Sequence, residues 1–215
     1  MLNISEMTVS HFMQNTRLLH CSKTNQSVLI DPGGEPEILL KKIEDSKSEL
    51  KEIWLTHSHL DHCGSVAKIL AKHKVPLLGH KLEAFMRANV SAVATMYGIP
   101  AGFYENCPEP DHYIDEGDKV SIGEYSFDVL FTPGHSPGHV SFYNSAEAIL
   151  ISGDVLFSGS VGRTDLPGGD AKQLMKSIKD KLLILPPATR VLSGHGPETT
   201  IGQEIHQNPF LDEQY

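Results

Sequence analysis

Cysteine is scarce in this chain: Cys21, Cys63 and Cys107 are the only three among 215 residues, an odd number at wide and unpatterned spacing. That excludes a disulfide framework as the staple of the fold and suits a reducing compartment. Long apolar runs are missing too. No stretch is long enough to span a bilayer, and Met1-Leu2-Asn3-Ile4-Ser5-Glu6-Met7 has neither the basic start nor the apolar segment of a secretory leader. A cytoplasmic location with no membrane partner is expected. Positive charge is in deficit, with 18 Lys and Arg against 27 Asp and Glu and a formal net charge of −9 with neutral histidines. A surface of that sign repels a phosphate backbone and argues against nucleic acid as a partner. Cys63, although next to His62, reads as a small packed residue.

What is there is the composition of a globular protein. Apolar residues make up 40% and charged residues 21% of the chain, enough for one well-filled core, so residues 1–215 are expected to form a single domain. Met7 to Phe12, Thr16 to His20 and Ser27 to Ile30 read as strands, the last closing on the turn Asp31-Pro32-Gly33-Gly34. Pro36 to Lys47 has the spacing of an amphipathic helix, and Glu52 to Thr56 is a buried strand running into a histidine cluster. Gly64 to Lys74 reads as a helix, Val75 to Leu78 as a strand, Glu83 to Met96 as a helix and Gly98 to Asp111 as a loop. Strands at Val120 to Ile122, Ser126 to Thr132, Val140 to Tyr143 and Ala148 to Ile151 then precede a helix at Ala171 to Leu183 and a strand at Arg190 to Ser193. Two halves that each run from strands to helix predict an α/β fold, two half-sheets packed together with helices outside, as a four-layer αββα sandwich.

Thr56-His57-Ser58-His59-Leu60-Asp61-His62 gathers three imidazoles and one carboxylate straight after an apolar strand and before a helix. Imidazole nitrogen and carboxylate oxygen both suit zinc and related divalent ions. A tight loop at a strand end can aim neighbouring side chains in different directions, with Thr56 and Ser58 as loop-shaping hydroxyls. A single histidine is more often a satisfied polar group than a ligand. Three later strand-end loops turn that balance, each with one ligand-type residue beside a glycine: His135 in Thr132-Pro133-Gly134-His135, Asp154 in Ser152-Gly153-Asp154, and His195 in Ser193-Gly194-His195-Gly196. The glycine lets the backbone turn sharply and approach an ion closely. His11, His20, His73, His80, His112, His139 and His206 lack ligand spacing and read as surface or core histidines, although His139 lies four residues after His135.

The pattern resembles the metallo-β-lactamase-fold hydrolases, with His-x-His-x-Asp-His at 57 to 62 and His135, Asp154 and His195 following in the family's order across nearly the whole chain. Within that superfamily it is similar to the glyoxalase II branch, the hydroxyacylglutathione hydrolases, because Asp154 stands where zinc β-lactamases of the commonest class place a cysteine. Leu156 to Asp170 and Asn208 to Leu211 are similar to short bacterial members. The resemblance implies two divalent metal ions per chain, zinc first with iron or manganese as alternatives. It assigns His57, His59 and His135 to one ion, Asp61, His62 and His195 to the other, and Asp154 to both. It gives Asp31 the role of supporting the ligand loop by hydrogen bonding, against the plainer reading of a turn aspartate.

On that footing the expected reaction is hydrolysis of the thioester of S-2-hydroxyacylglutathione, such as S-lactoylglutathione, by a hydroxide bridging two ions, with one ion stabilising the oxyanion. Asp61 is the candidate catalytic proton acceptor as well as a ligand. Arg163, in a Gly-rich loop, is either the anchor of a substrate carboxylate or a structural arginine. The expected partner is a small-molecule thioester, taken by a monomer or small homo-oligomer. One departure matters: long glyoxalase II enzymes add a helical C-terminal domain whose basic and aromatic residues hold glutathione, whereas 20 residues follow His195 here, so those contacts are not carried over. Two other readings compete, a mononuclear iron dioxygenase acting on glutathione persulfide and a non-catalytic metal-binding module. A nuclease of the same superfamily is disfavoured by the acidic balance.

Overall fold

A computed structural model describes residues 1–211; the last four residues of the expected domain lie outside the described ones. The chain divides into two compact units, Met1–Ile114 with Ser121–Ser126, and Asp115–Val120 with the residues from Phe127 onward.

The first unit is built on a six-stranded sheet. Strands β1 (Leu2–Val9) and β2 (Gln14–Cys21) form an antiparallel hairpin in which Leu2 faces Cys21 and Val9 faces Gln14. Its turn contains neither Gly nor Pro, yet Ser10 and Met13 take left-handed backbone (φ 68° and 56°). That is why a strand read from Met7 to Phe12 runs through a real turn: the usual punctuation is missing. β3 (Gln26–Ile30) adds antiparallel to β2, and β4 (Glu49–Trp54) pairs parallel to β3. A parallel neighbour needs a crossover, supplied by α1 (Pro36–Ser46), which starts on a proline and buries Leu39 and Ile43. After β4 come one helical turn, α2 (Leu60–Cys63), then α3 (Val66–Lys72) with Val66 and Ile69 buried, and β5 (Leu77–Gly79), parallel to β4. Helix α4 (Ala84–Met96) buries Arg87, Val90 and Ala94 and leads through the irregular stretch 98–111 to β6 (His112–Tyr113). Leu18, Leu29, Leu39, Ile53, Ile69 and Val90 form part of one apolar cluster, each fully buried aliphatic side chain contributing about 1.5–3 kcal/mol.

The second sheet runs in the order β14-β13-β10-β9-β8-β7, from β7 (Lys119–Ile122) and β8 (Tyr125–Phe131) through β9 (Val140–Asn144) and β10 (Ile149–Gly153) to β13 (Arg190–Ser193) and β14 (Thr199–Thr200). β10 lies at its centre, buried at all five positions, antiparallel to β9 and parallel to β13. Its register shifts between Ile151 and Gly153, a kink of the kind that re-aims the residues after it, and the next residue is Asp154. A small hairpin, β11 (Leu156–Phe157) with β12 (Ser160–Val161), follows directly. Helix α5 (Ala171–Ser177) is capped by Asp170, whose side chain accepts from Gln173 N at 3.0 Å. Helix α6 (Ile201–Gln207) is capped in the same way by Thr200. Leu150, Val155, Leu156, Leu174, Ile178 and Val191 form part of this unit's core. Among the described residues no helix is long and apolar enough to cross a membrane.

Asp31, the cluster at 57 to 62, His135, Asp154 and His195 all lie just beyond the C-terminal end of a strand, where α/β sheets leave room for a ligand.

Candidate functional site

In the first unit the strand end of β4 delivers three imidazoles into one small space. Nε2 of His57 lies 3.1 Å from Nδ1 of His59, the rings of His57 and His62 are 4.0 Å apart between centroids, and Nε2 of His62 is 3.9 Å from Oδ2 of Asp61. Asp31, itself in left-handed backbone at φ 51°, sits behind this group. Its Oδ1 accepts from Thr56 N at 2.8 Å, and its Oδ2 from Thr56 Oγ1 at 2.6 Å and from Nδ1 of His62 at 3.0 Å. The directions of these bonds follow from what each group can do. An ionised carboxylate only accepts, so Thr56 spends its proton on Asp31, and Thr56 Oγ1 receives the proton of His57 Nδ1, 3.1 Å away. Both His57 and His62 therefore carry hydrogen on Nδ1 and a lone pair on Nε2, the form that binds a metal. The hydrogen-bonding support expected of Asp31 for the loop at 57 to 62 is present in detail.

Two more contacts shape this loop. The buried carboxylate of Glu83 accepts from Ser58 N at 2.9 Å, fixing the peptide between His57 and His59. Gly33 approaches the backbone of Asp61 so closely that a Cβ there would stand 1.5 Å from the Asp61 carbonyl oxygen. Cys63 donates its thiol to Ser58 O at 3.4 Å; burial, together with the adjacent Cys107 thiol, pushes its pKa well up, so it is packed and protonated rather than nucleophilic. Burial also pushes the Tyr104 phenol up to about 12, with the charge of Asp61 adding to the rise, which excludes it as a proton acceptor near neutral pH.

In the second unit Oδ2 of Asp154 stands 3.6 Å from Nε2 of His135 and 3.4 Å from Nε2 of His195. Nδ1 of His135 is 2.7 Å from the carbonyl of Arg163, an acceptor only, so His135 too presents its lone pair on Nε2. Arg163 thus serves the group through its backbone. Its exposed guanidinium is gripped by Asp165 with two bonds of 2.7 Å, and holds that carboxyl down at about 2. His139, set aside by sequence spacing, is buried and takes part: its Nε2 accepts from Asp154 N at 3.0 Å. Its Nδ1 then donates to Thr132 Oγ1 at 3.0 Å, Thr132 to Ser141 Oγ at 2.9 Å, and Ser141 to Ser152 O at 3.3 Å. The chain of donors ends two residues before Asp154.

The donor set is imidazole and carboxylate, held by oriented outer hydrogen bonds, which is the chemistry of a site for divalent metals. The sequence pattern of the Metallo-beta-lactamase superfamily matches residues 12–195. The chain belongs to the metallo-β-lactamase superfamily. Its fold is the α/β sandwich of that superfamily, its chemistry that of a metal-dependent hydrolase, and its His and Asp donors are of the type that holds divalent ions. A Haemophilus influenzae protein named hydroxyacylglutathione hydrolase GloC is 38% identical over 213 residues, covering 98% of this chain and 99% of its own. A Bacillus subtilis protein named probable metallo-hydrolase YqgX is 42% identical over 188 residues, covering 87% and 88%. Among solved metallo-β-lactamase folds, the crystal structure of TTHA1623 in a di-iron-bound form superposes with a TM-score of 0.88 at 42% identity, covering 96% of this chain and 100% of that one.

Proposed function

We propose that the protein is a dinuclear thioester hydrolase of the glyoxalase II kind, cleaving S-2-hydroxyacylglutathione, with S-lactoylglutathione as the representative substrate. In this reading His57, His59 and His135 hold one ion, Asp61, His62 and His195 the other, and Asp154 both. The observation that carries it is Asp154, whose Oδ2 lies 3.6 Å from Nε2 of His135 and 3.4 Å from Nε2 of His195. A carboxylate so placed is a donor for two like ions, where a thiolate would favour a softer, unsymmetrical pair. The Haemophilus influenzae relative supports the substrate class through its name and its near full-length match. Zinc is proposed as the resident metal, and the di-iron-bound relative makes iron the first alternative.

When bound, two divalent ions supply Lewis acidity and acidify a shared water toward neutrality. The chain's own groups do the rest. Asp61, whose side chain keeps 14% of its exposure, accepts the proton of the attacking water while remaining a ligand. Asp31 keeps His57 and His62 from presenting N–H where a lone pair is needed. A thiolate is a good leaving group, so no dedicated acid is required. Arg163 anchors a substrate carboxylate by exchanging it for Asp165, a swap between two equivalent two-point partners. The proposed setting is the cytoplasm, with a small molecule as the partner.

The test is metal analysis of the purified protein alongside S-lactoylglutathione hydrolysis, for the wild type and Asp154→Ala. The expected result is about two ions per chain in the wild type, with occupancy and turnover both lost in the variant. One iron per chain, no hydrolysis and oxygen uptake with glutathione persulfide would replace this reading by the dioxygenase; tight metal binding with no turnover of any acyl thioester would replace it by the non-catalytic module.

A further inference from the structure

Between Asp154 and Arg163 the chain makes the hairpin β11–β12, and its far end is tied down by the last helix. Glu204, on α6, is 1% exposed. Its Oε2 accepts from Gly159 N at 2.9 Å and from Asn208 Nδ2 at 2.7 Å, and its Oε1 from Thr199 Oγ1 at 2.5 Å. Asn208, also buried, donates from the same nitrogen to Ser160 O at 3.0 Å, while its Oδ1 accepts from Phe210 N at 3.0 Å, which settles the orientation of its amide. The turn Gly159-Ser160 is thereby gripped by its N–H and by its C=O at once.

The near end of the same hairpin carries the ligands' support. Gly162 N donates to Val155 O at 3.2 Å. A Cβ at Gly162 would stand 1.9 Å from the Asp154 carbonyl oxygen and 3.3 Å from Cβ of His135. The next residue, Arg163, offers the carbonyl that fixes Nδ1 of His135 at 2.7 Å. A two-stranded hairpin this short has no stability of its own, so the placement of its near end depends on what holds its turn.

We infer that Glu204 and Asn208 are positioning residues for His135 and Asp154, acting through the hairpin β11–β12. The inference rests on the ligand assignment proposed above. If the grip on Gly159 and Ser160 is loosened, the Arg163 carbonyl drifts from Nδ1, His135 gains the other tautomer and another ring angle, and metal binding weakens as it does when an outer hydrogen-bond partner of a ligand is removed.

The experiment measures zinc affinity by chelator competition and the visible bands of the cobalt(II)-loaded protein for the wild type, Glu204→Gln, Asn208→Ala and Ile149→Val. Glu204→Gln keeps the shape but removes the charge and leaves one carbonyl oxygen where two carboxylate oxygens accepted from Gly159, Asn208 and Thr199. Asn208→Ala releases Ser160 and removes one of the three donors to Glu204. Ile149→Val trims a buried side chain (3% exposed) at the opposite end of β10 from Asp154, and so lowers stability without touching the hairpin. Glu204→Gln and Asn208→Ala are expected to weaken zinc binding roughly tenfold or more and to shift the cobalt bands, while Ile149→Val changes neither. Wild-type affinity and unshifted bands in both hairpin variants would overturn the inference. A wild type that takes up neither zinc nor cobalt would overturn it together with the ligand assignment, and the two failures separate because neither readout needs a substrate.

Discussion

Asp31 determines which nitrogen of His62 carries the proton: its Oδ2 lies 3.0 Å from Nδ1 of His62, and a carboxylate can only accept. The same oxygen, through Thr56 Oγ1 at 2.6 Å, sets the tautomer of His57 as well. One buried carboxylate therefore orients two imidazoles, and under the ligand assignment proposed above an ion meets them with their tautomers already chosen.

Asp31→Asn tests that relationship cleanly, because asparagine also accepts the left-handed backbone that position 31 requires (φ 51°). The amide must turn an NH₂ toward either Thr56 N or the pair formed by Thr56 Oγ1 and His62 Nδ1. Zinc affinity by chelator competition is expected to fall about 10- to 100-fold, and urea unfolding to show a loss of about 1–3 kcal/mol from the buried donor left unsatisfied. Unchanged affinity in a folded variant would return Asp31 to the status of a turn residue.

Local spacing made much of this legible. The helices at α1, α3 and α4 follow from apolar residues three and four apart, and the candidate ligands stand out because His57, Asp154 and His195 follow within three residues of the ends of β4, β10 and β13. What spacing does not carry is burial created by distant segments. Nothing in the spacing marks Glu83, Glu204 or Asn208, since only the folded chain brings Ser58, Gly159 and Ser160 against them. His139 failed the ligand test for a sound reason, as its partner is the backbone of Asp154. The hairpin β11–β12 has strands of two residues, too short for any period to register. Arg163 was weighed as a side chain, whereas its carbonyl is the group that touches a ligand.

Glu109 gives a pH-dependent prediction outside the metal region. The Arg87 guanidinium, bonded to it at 2.8 and 3.3 Å, holds its carboxyl below the usual glutamate value, with the Tyr113 hydroxyl at 2.6 Å assisting. A carboxyl whose pKa is lower in the folded state than in the unfolded state stabilises the fold above the unfolded value, and that contribution is lost as pH falls through the lowered one. Glu109→Gln should cost about 1 kcal/mol at pH 7, at the modest end because Glu109 is half exposed although Arg87 is buried. Urea titrations of both proteins should converge as the pH is taken below the glutamate range; a difference that persists undiminished there would show that packing rather than charge is responsible.

Gly33→Ala is the sharpest test of how the two turns at the ends of β3 and β4 fit together. Both chains pass as bare backbone at that point: the new methyl would stand 1.5 Å from the Asp61 carbonyl oxygen, and 2.9 Å from Oε1 of Gln14. No rotamer change relieves a clash with a peptide oxygen, so the segment Asp61-His62 must shift. Overpacking of this kind costs about 1–3 kcal/mol, and the shift carries Asp61 with it and draws Nδ1 of His62 away from Asp31. Gly33→Ala should therefore lose metal at lower chelator concentration than the wild type even at temperatures where circular dichroism shows it fully folded. If it melts early but holds metal as tightly as the wild type, the close approach serves stability alone, and the ligand loop is fixed by its hydrogen bonds to Asp31 and Glu83 without help from this turn.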